Sequence, residues 1–144
     1  MEVINVEKIL DLTQLKNAQL AFHQALEYAL SLESDKSAYA FEAARGNLIQ
    51  SFEFTFEISW KMMKRYINNS LGPGDEKINT HKDLYRLAGQ RGLINDFYPW
   101  LGYRDARNKT SHSYNEEIAE EVYKIAKSFK KDLDDFVANI EGKV

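Results

Sequence analysis

Apolar residues along the chain recur mainly every three or four positions, which is the spacing that places side chains on one face of an α-helix. A first helix is predicted over residues 11–33, with Asp11 or Thr13 as its N-cap. The clearest amphipathic segment lies near the end of the chain, and its apolar face consists of Ile118, Val122, Ile125, Ala126, Phe129, Leu133, Phe136, Val137 and Ile140. Because no stretch alternates between apolar and polar residues, the pattern predicts an all-α protein.

A second helix is predicted from about Ser37 to Ser70, and its apolar residues cover more than one face. On a helical wheel of residues 48–67 they span an arc of about 240°, whereas a surface helix has an apolar stripe of about 100°. The residues of this arc are Leu48, Phe52, Phe54, Phe56, Ile58, Trp60, Met62, Met63, Tyr66 and Ile67. Such a helix needs neighbours on several sides, so we expect it at the centre of a bundle, in a homodimer interface, or in both.

Loop and cap residues divide the middle of the chain into two shorter helices. The Gly-Pro-Gly run at residues 72–74 cannot continue a helix and marks the clearest loop. Thr80 is the expected N-cap of a short third helix that Gly92 ends, and a fourth helix is expected over residues 95–111. We interpret residues 1–144 as a single domain, an up-and-down four-helix bundle with an additional short helix.

Composition and charge narrow the possible classes of function. The 144 residues include no cysteine, which excludes disulfides and thiol chemistry and suits a cytoplasmic location. The formal net charge of −3 argues against a general polyanion binder, so a nucleic-acid site would need a local basic patch. The N-terminal segment lacks a signal-peptide pattern, and no run of about 18 uncharged apolar residues indicates a membrane span. We therefore expect a cytoplasmic protein without a membrane association.

The histidines and the paired glutamates of the second helix do not form a metal-binding pattern. A di-iron site in a four-helix bundle needs histidines three residues after a glutamate. None of His23, His81 and His112 has a glutamate in that position. Glu53 and Glu57 fall on the narrow polar strip of the second helix, where a solvated face explains them. His23 and His81 are interpreted as surface or boundary residues without a chemical partner, and we expect neither a metal ion nor a cofactor.

The polar run from Arg107 to Glu117 stands where one helix stops and another starts, and it holds the strongest candidate for chemistry. On a continuous helix, residues five apart point about 140° away from each other. Arg107 and His112 therefore share a face only if the helix ends between them. The spacing of Ser113 and Glu116 has the form of a capping box and predicts such an end.

The run from Arg107 to Glu117, where the two helices meet, is called the corner below. Its residue types and spacing leave two interpretations open. In the first, the His112 imidazole exchanges protons with a ribose hydroxyl or a leaving oxygen, while the Arg107 guanidinium binds the phosphate and Asn108 orients either group. In the second, the run is an ordinary polar helix–helix corner, since a helix C-terminus favours basic side chains through its dipole. Spacing by itself favours the second interpretation.

Two segments together resemble a known family of small helical proteins. They are QSFEFTFEISWKMMKRYI (Gln50–Ile67) and YRDARNKTSHSYNEEIAEEVYKIA (Tyr103–Ala126), and in this order and spacing they resemble the nucleotidyltransferase substrate-binding proteins of the HEPN superfamily. The resemblance extends from about residue 12 to about residue 137. It implies a five-helix, bundle-like fold that forms a homodimer, and it implies a minimal nucleotidyltransferase as the partner.

The resemblance also implies roles for residues of the corner. In many HEPN proteins an R-x4-6-H motif is a metal-independent ribonuclease site, and the two partner proteins act as toxin and antitoxin. This chain has the form R-x4-H-x-Y, and in some related pairs the nucleotidyltransferase silences the toxin by transferring AMP to that tyrosine. The residues implied are Arg107, His112 and Asn108 as catalytic groups, Arg104 and Lys109 as RNA-binding groups, and Tyr114 as the AMP acceptor.

A second function is compatible with the same resemblance. In it, the chain is a non-catalytic subunit that binds a substrate or a nucleotide and completes the active site of a two-component nucleotidyltransferase. Both functions use the polar corner that contains Arg107 and His112, so the sequence does not distinguish an RNA ligand from a nucleotide ligand.

Overall fold

The computed structural model describes residues 10–144, and within that range the chain forms five α-helices, one short 3₁₀ turn and no strand. The elements are α1 Thr13–Ser31, α2 Tyr39–Ser70, α3 His81–Gln90, α4 Tyr98–Lys109, the 3₁₀ turn Thr110–His112, and α5 Glu116–Glu141. The prediction of an all-α bundle with one additional short helix, α3, is confirmed. None of the helices in the described range combines the length and apolar character needed to span a bilayer.

The start of α3 is at the predicted N-cap, whereas the predicted N-cap of α1, Asp11 or Thr13, is wrong by one position. The N-cap position of α1 is Leu12, and the Asp11 carboxylate accepts a hydrogen bond from the Thr13 N–H group at 2.9 Å. Thr80 caps α3 in a full capping box, because its hydroxyl accepts from the Asp83 N–H group and the Asp83 carboxylate accepts from the Thr80 N–H group. Each contact satisfies an N–H group that would otherwise lack a partner.

Phe129 of α5 lies at the centre of the aromatic core. Its ring meets five other aromatic rings edge to face, with centroids 5.0 to 6.2 Å apart, and these belong to Phe22, Phe52, Phe56, Trp100 and Tyr103. Edge-to-face pairs are favoured by the charge distribution of aromatic rings and contribute about 0.5–1.5 kcal/mol each beyond the burial of their area. Helices α1, α2, α4 and α5 therefore share one core.

Burial along α2 accounts for most of its wide apolar arc. Leu48, Phe52, Phe56 and Met63 are completely buried, since α1, α3, α4 and α5 all pack on this helix. This agrees with the interpretation of α2 as the central helix of a bundle. Phe54 differs, because its side chain is 58% exposed on the outer surface of the bundle.

Candidate functional site

The polar strip of α2 contacts the end of α4 through two carboxylates. The Nε–H group of Arg107 donates to Glu57 with 2.9 Å between nitrogen and oxygen, and the Thr110 hydroxyl donates to Glu53. Glu53 and Glu57 are one helical turn apart on α2. They therefore bind Thr110 and Arg107, which are also about one turn apart at the end of α4. Glu57 also forms the expected surface ion pair with Lys61, at 3.8 Å. The interpretation of both glutamates as only a solvated face is therefore wrong.

The helix ends between Arg107 and His112, as predicted. Helix α4 stops at Lys109, and the 3₁₀ turn Thr110–His112 follows it. The Arg107 side chain lies on α2 and is 30% exposed. The His112 side chain is exposed and its ring meets that of Tyr114 edge to face, with centroids 6.1 Å apart. The two motif side chains are on one corner without contacting each other.

The predicted capping box at the start of α5 is wrong by two positions. Asn115, and not Ser113, is the N-cap, because its side-chain oxygen accepts from the N–H groups of Glu117 and Ile118 at 2.9 and 3.2 Å. Ser113 instead follows the 3₁₀ turn. Glu116 becomes the first residue of α5, so its carboxylate is not placed to reach back to Ser113.

Arg45 of α2 binds the carboxylate that the capping box would have used. Its guanidinium donates to both oxygens of Glu116 at 2.7 Å, and its Nη1 lies 3.6 Å from Glu120. Arg45 is 6% exposed, and its buried positive charge is compensated by this bidentate ion pair. The hydrogen bonds from Arg45 hold the pKa of Glu116 below its usual range. The first turn of α5, and with it the corner, is therefore fastened to α2.

The residues predicted to surround Arg107 point in different directions. Lys109 donates to Glu121 of α5 at 2.8 Å, and this contact raises the pKa of Lys109. Asn108 is exposed and makes no side-chain hydrogen bond to residues 10–144. Arg104 is also exposed, on the α3 side of α4, where burial and then the charge of Arg104 lower the pKa of His81. The expected basic cluster is thus a pair, Arg104 and Arg107, and Lys109 faces another helix.

Tyr114 extends from the corner into solvent. Its side chain is 86% exposed. Within the described range its ring contacts one other ring, that of His112. A tyrosine hydroxyl in this position is accessible to a second protein. Any group added to it would lie beside His112.

Two histidines interpreted as unpartnered have partners in the structure. His23 Nε2 lies 2.6 Å from Asp134, and His81 Nδ1 lies 2.9 Å from the Tyr85 hydroxyl. The His81 ring also packs on Trp60, with centroids 4.7 Å apart. No group of histidine and carboxylate side chains in residues 10–144 has an arrangement that could hold a metal ion.

Sequence reasoning missed Arg45, Glu53 and Glu57 as residues that hold the corner. A signal for Arg45 was present, since it lies four residues after Phe41 and three before Leu48 and so on the buried face of α2. An arginine on such a face needs a buried partner. No local pattern shows which carboxylates of α2 meet a residue 50 positions later.

Comparison with known proteins places this helical bundle in a family of substrate-binding proteins. Residues 10–141 match the family described as nucleotidyltransferase substrate binding protein like, and the chain belongs to this family. A solved structure from Haemophilus influenzae, described as the fold of a substrate-binding domain of a nucleotidyltransferase, is similar with a TM-score of 0.73. It is 32% identical, and the match covers 88% of this chain and 98% of that one.

Two further relatives extend the comparison. A solved structure from Thermus thermophilus has a TM-score of 0.60 and 26% identity, over 81% of this chain and 96% of that one. A curated protein of Haemophilus influenzae named "Probable ribonuclease HepT" is 46% identical over 76 residues. That alignment covers 52% of each protein, so the chain spans about half the length of this curated relative.

The contact between Arg45 and Glu116 predicts a pH-dependent stability. Because the folded-state pKa of Glu116 is lowered, its stabilisation is complete above the usual value of 4.5 and is lost as the pH falls through the lowered pKa. The Glu116→Gln variant should therefore lose free energy of unfolding at neutral pH and approach the wild type in acid. Urea unfolding at several pH values measures the free energy of unfolding of both proteins.

Glu117→Gln, at the next position, is the matched control and should show no such pH-dependent difference. Equal losses for Glu116→Gln at all pH values would contradict a stabilising ion pair between Arg45 and Glu116.

Proposed function

We propose that this chain is a single-domain, cytoplasmic, metal-independent ribonuclease whose site is the corner between α4 and α5. The observation that carries the proposal is the placement of Arg107, which Glu57 holds at the edge of the corner where His112 is exposed. Membership of the nucleotidyltransferase substrate-binding family and the similarity to a protein named as a probable ribonuclease support it.

Arg107 has the geometry to bind a phosphate while Glu57 orients it. The hydrogen bond to Glu57 uses Nε–H, and none of the described residues forms a hydrogen bond or ion pair with the two terminal amino groups. These groups are free to donate to two phosphate oxygens and to stabilise the negative charge that develops in the transition state. Asn108 follows directly, and its side chain is exposed at the same end of α4.

His112 performs the proton transfer in this proposal. Its exposed imidazole accepts the proton of a ribose 2′-hydroxyl, and the 2′-oxygen forms a bond to phosphorus. The bond from phosphorus to the 5′-oxygen breaks, and that oxygen takes up a proton. The products are a 2′,3′-cyclic phosphate and a 5′-hydroxyl, so the atoms and charges balance without a metal ion.

Arg104 and Lys109 bind the RNA backbone on either side of this site. Arg104 is free to do so, whereas Lys109 must first leave Glu121. The ion pair between Lys109 and Glu121 is exposed, and exposed pairs contribute little to stability. An RNA phosphate can therefore displace Glu121 at small cost.

A minimal nucleotidyltransferase is the proposed partner, and it silences the ribonuclease by modifying Tyr114. The tyrosine oxygen attacks the α-phosphorus of ATP, pyrophosphate leaves, and the hydroxyl proton is lost to solvent. The AMP group adds bulk and negative charge beside the His112 ring, where the RNA phosphate would enter. The two proteins then form a pair of toxin and antitoxin.

The proposed protein is a homodimer that associates through an uncharged face of α1 and α2. Tyr28 and Phe54 are both more than half exposed there and border a groove of about 620 Å³. The other residues of the groove are Ala21, Gln24, Ala25, Asn47, Gln50 and Ser51, and none carries a charge. Exposed aromatic rings without neighbouring charges are typical of interface centres.

A second candidate function is a non-catalytic subunit of a two-component nucleotidyltransferase. The partners of the two motif side chains favour it: Arg107 is bound to Glu57 and His112 meets Tyr114, with no hydrogen bond between them, and a phosphate-binding arginine does not require a proton-transfer partner. In this function the corner binds a nucleotide or a substrate phosphate and completes the active site of the partner.

Replacing His112 by Ala should lower the rate of RNA cleavage in EDTA by about 100-fold or more, since proton transfer by a positioned side chain contributes about 10²–10⁴-fold. His23→Gln is the matched control, because it changes a histidine that contacts Asp134 far from the corner. Cleavage by a folded His112→Ala protein at the wild-type rate would contradict the proposed ribonuclease site. Absence of cleavage by the folded wild type, together with nucleotide binding that weakens in Arg107→Ala, would establish the second candidate.

Incubation with the partner nucleotidyltransferase and ATP should add one AMP group to the wild type and none to Tyr114→Phe. Intact-mass spectrometry measures the addition, and the modified wild type should lose cleavage while Tyr114→Phe keeps it. Tyr98→Phe changes another strongly exposed tyrosine and should be modified like the wild type. Modification of Tyr114→Phe to the same extent would exclude Tyr114 as the acceptor.

Phe54→Glu should convert the homodimer to a monomer, because it places a charge in the centre of the uncharged face. Light scattering coupled to size-exclusion chromatography measures the mass in solution. Tyr39→Glu introduces the same charge at a more exposed ring outside the groove and should remain dimeric. A dimer that survives Phe54→Glu must use another face.

A further inference from the structure

The polar strip of α2 continues past the corner to an aromatic site. Glu53, Glu57, Trp60 and Lys64 follow one another at spacings of four, three and four, so they form one stripe along the helix. The first two contact the residues of the corner. Trp60 is one helical turn further along, about 4.5 Å from Glu57 along the helix axis.

Trp60 and His81 form a half-buried pair of rings at this end of the stripe. Their centroids are 4.7 Å apart with an angle of 66° between the ring planes. A cavity of about 130 Å³ opens beside them, and its other lining residues include Lys64, Ile78, Asn79 and Leu84. Lys61 adds a second cation, with Nζ 5.7 Å from the centroid of the Trp60 ring.

The ring of His81 is held in one orientation and is uncharged at neutral pH. Burial, then the charge of Arg104, lower its pKa, and Lys64 acts in the same direction against the opposing charge of Glu57. Burial also raises the pKa of Tyr85, and its hydroxyl forms a hydrogen bond with His81 Nδ1 at 2.9 Å. This bond fixes the ring through Nδ1 and leaves Nε2 to hydrogen-bond with a ligand.

Arg104 connects this pair of rings to the proposed phosphate site. It precedes Arg107 by three residues on α4, so the two guanidinium groups lie on adjacent turns. Arg107 contacts Glu57, while Arg104 acts electrostatically on His81. Aromatic rings next to arginines and lysines are the combination by which proteins bind single-stranded nucleic acids, because rings stack with bases and the cations bind the phosphates.

We propose that Trp60 and His81 form a nucleobase-binding site for the nucleotide whose phosphate is bound at Arg104 and Arg107. This inference rests on the proposed function for its ligand, single-stranded RNA, and it adds a binding determinant outside the motif at Arg107–His112. The base stacks on the exposed part of the two rings, and His81 Nε2 forms a hydrogen bond with an atom at the base edge. A free nucleotide has the same base and phosphate, so the experiment includes one.

Tryptophan fluorescence tests the site directly, because the chain has two tryptophans in different surroundings. Trp60 is half-buried beside the cavity, whereas Trp100 is 1% exposed in the core. The full-length His112→Ala protein is titrated with single-stranded oligoadenylate RNA and, separately, with AMP. Stacking on Trp60 should give saturable quenching, and the additional change Trp60→Phe should abolish it while the signal of Trp100 remains. His81→Ala in the same background should weaken binding of a labelled oligoadenylate about 10-fold.

The outcomes separate this inference from the proposed function. Quenching by RNA, lost in Trp60→Phe, supports the base site in RNA binding; quenching by AMP alone supports the same site for a free nucleotide. No quenching by either ligand overturns the inference, and the Trp60–His81 contact then only holds α3 on α2. Cleavage by the wild type is measured in parallel. Quenching without cleavage would contradict the ribonuclease activity and support the base site. Cleavage without quenching, with an unchanged KM in His81→Ala, would contradict the base site and support the ribonuclease activity.

Discussion

The structure depends on the burial of α2, a helix of 32 residues with apolar side chains around most of its circumference. Such a helix is stable only when neighbours pack on several sides, and α1, α3, α4 and α5 supply them. Its polar residues are thereby restricted to what remains between these neighbours. Glu53 and Glu57 occupy part of that strip beside the end of α4. The same constraint that builds the core therefore brings two carboxylates to the polar corner.

These carboxylates fix the side chains at the end of α4. Glu57 orients Arg107 through Nε–H, so the guanidinium is held in place before the proposed phosphate ligand binds to its terminal amino groups. Arg45 fastens the start of α5 to the same helix through Glu116, at the other side of the corner. The corner is thus positioned by α2 from both sides, while the side chains of His112 and Tyr114, for which we propose roles in catalysis and regulation, remain exposed.

Local signals in the sequence predicted the helices, because caps and apolar repeats act between residues that are close in sequence. Asp11, Thr80 and the repeat of apolar positions in α5 each act within a few residues, and the structure confirmed the helices that they indicate. The capping box at Ser113 failed because the carboxylate it requires is bound by Arg45, which is 71 residues away. The partners of Glu57 and His81 were missed for the same reason: a helical wheel shows which face a residue occupies but not which helix covers that face. The roles proposed for Arg107, His112 and Tyr114 came from family resemblance, since spacing alone favoured an ordinary corner.

We propose that the corner held by α2 cleaves RNA without a metal ion. The most direct measurement is the chemical identity of the ends that the purified protein leaves on a single-stranded RNA in EDTA. Such a ribonuclease leaves 2′,3′-cyclic phosphate and 5′-hydroxyl ends, because the attacking oxygen belongs to the RNA itself. Ends with a 5′-phosphate, cleavage that requires a divalent cation, or intact RNA after incubation with folded protein would contradict it.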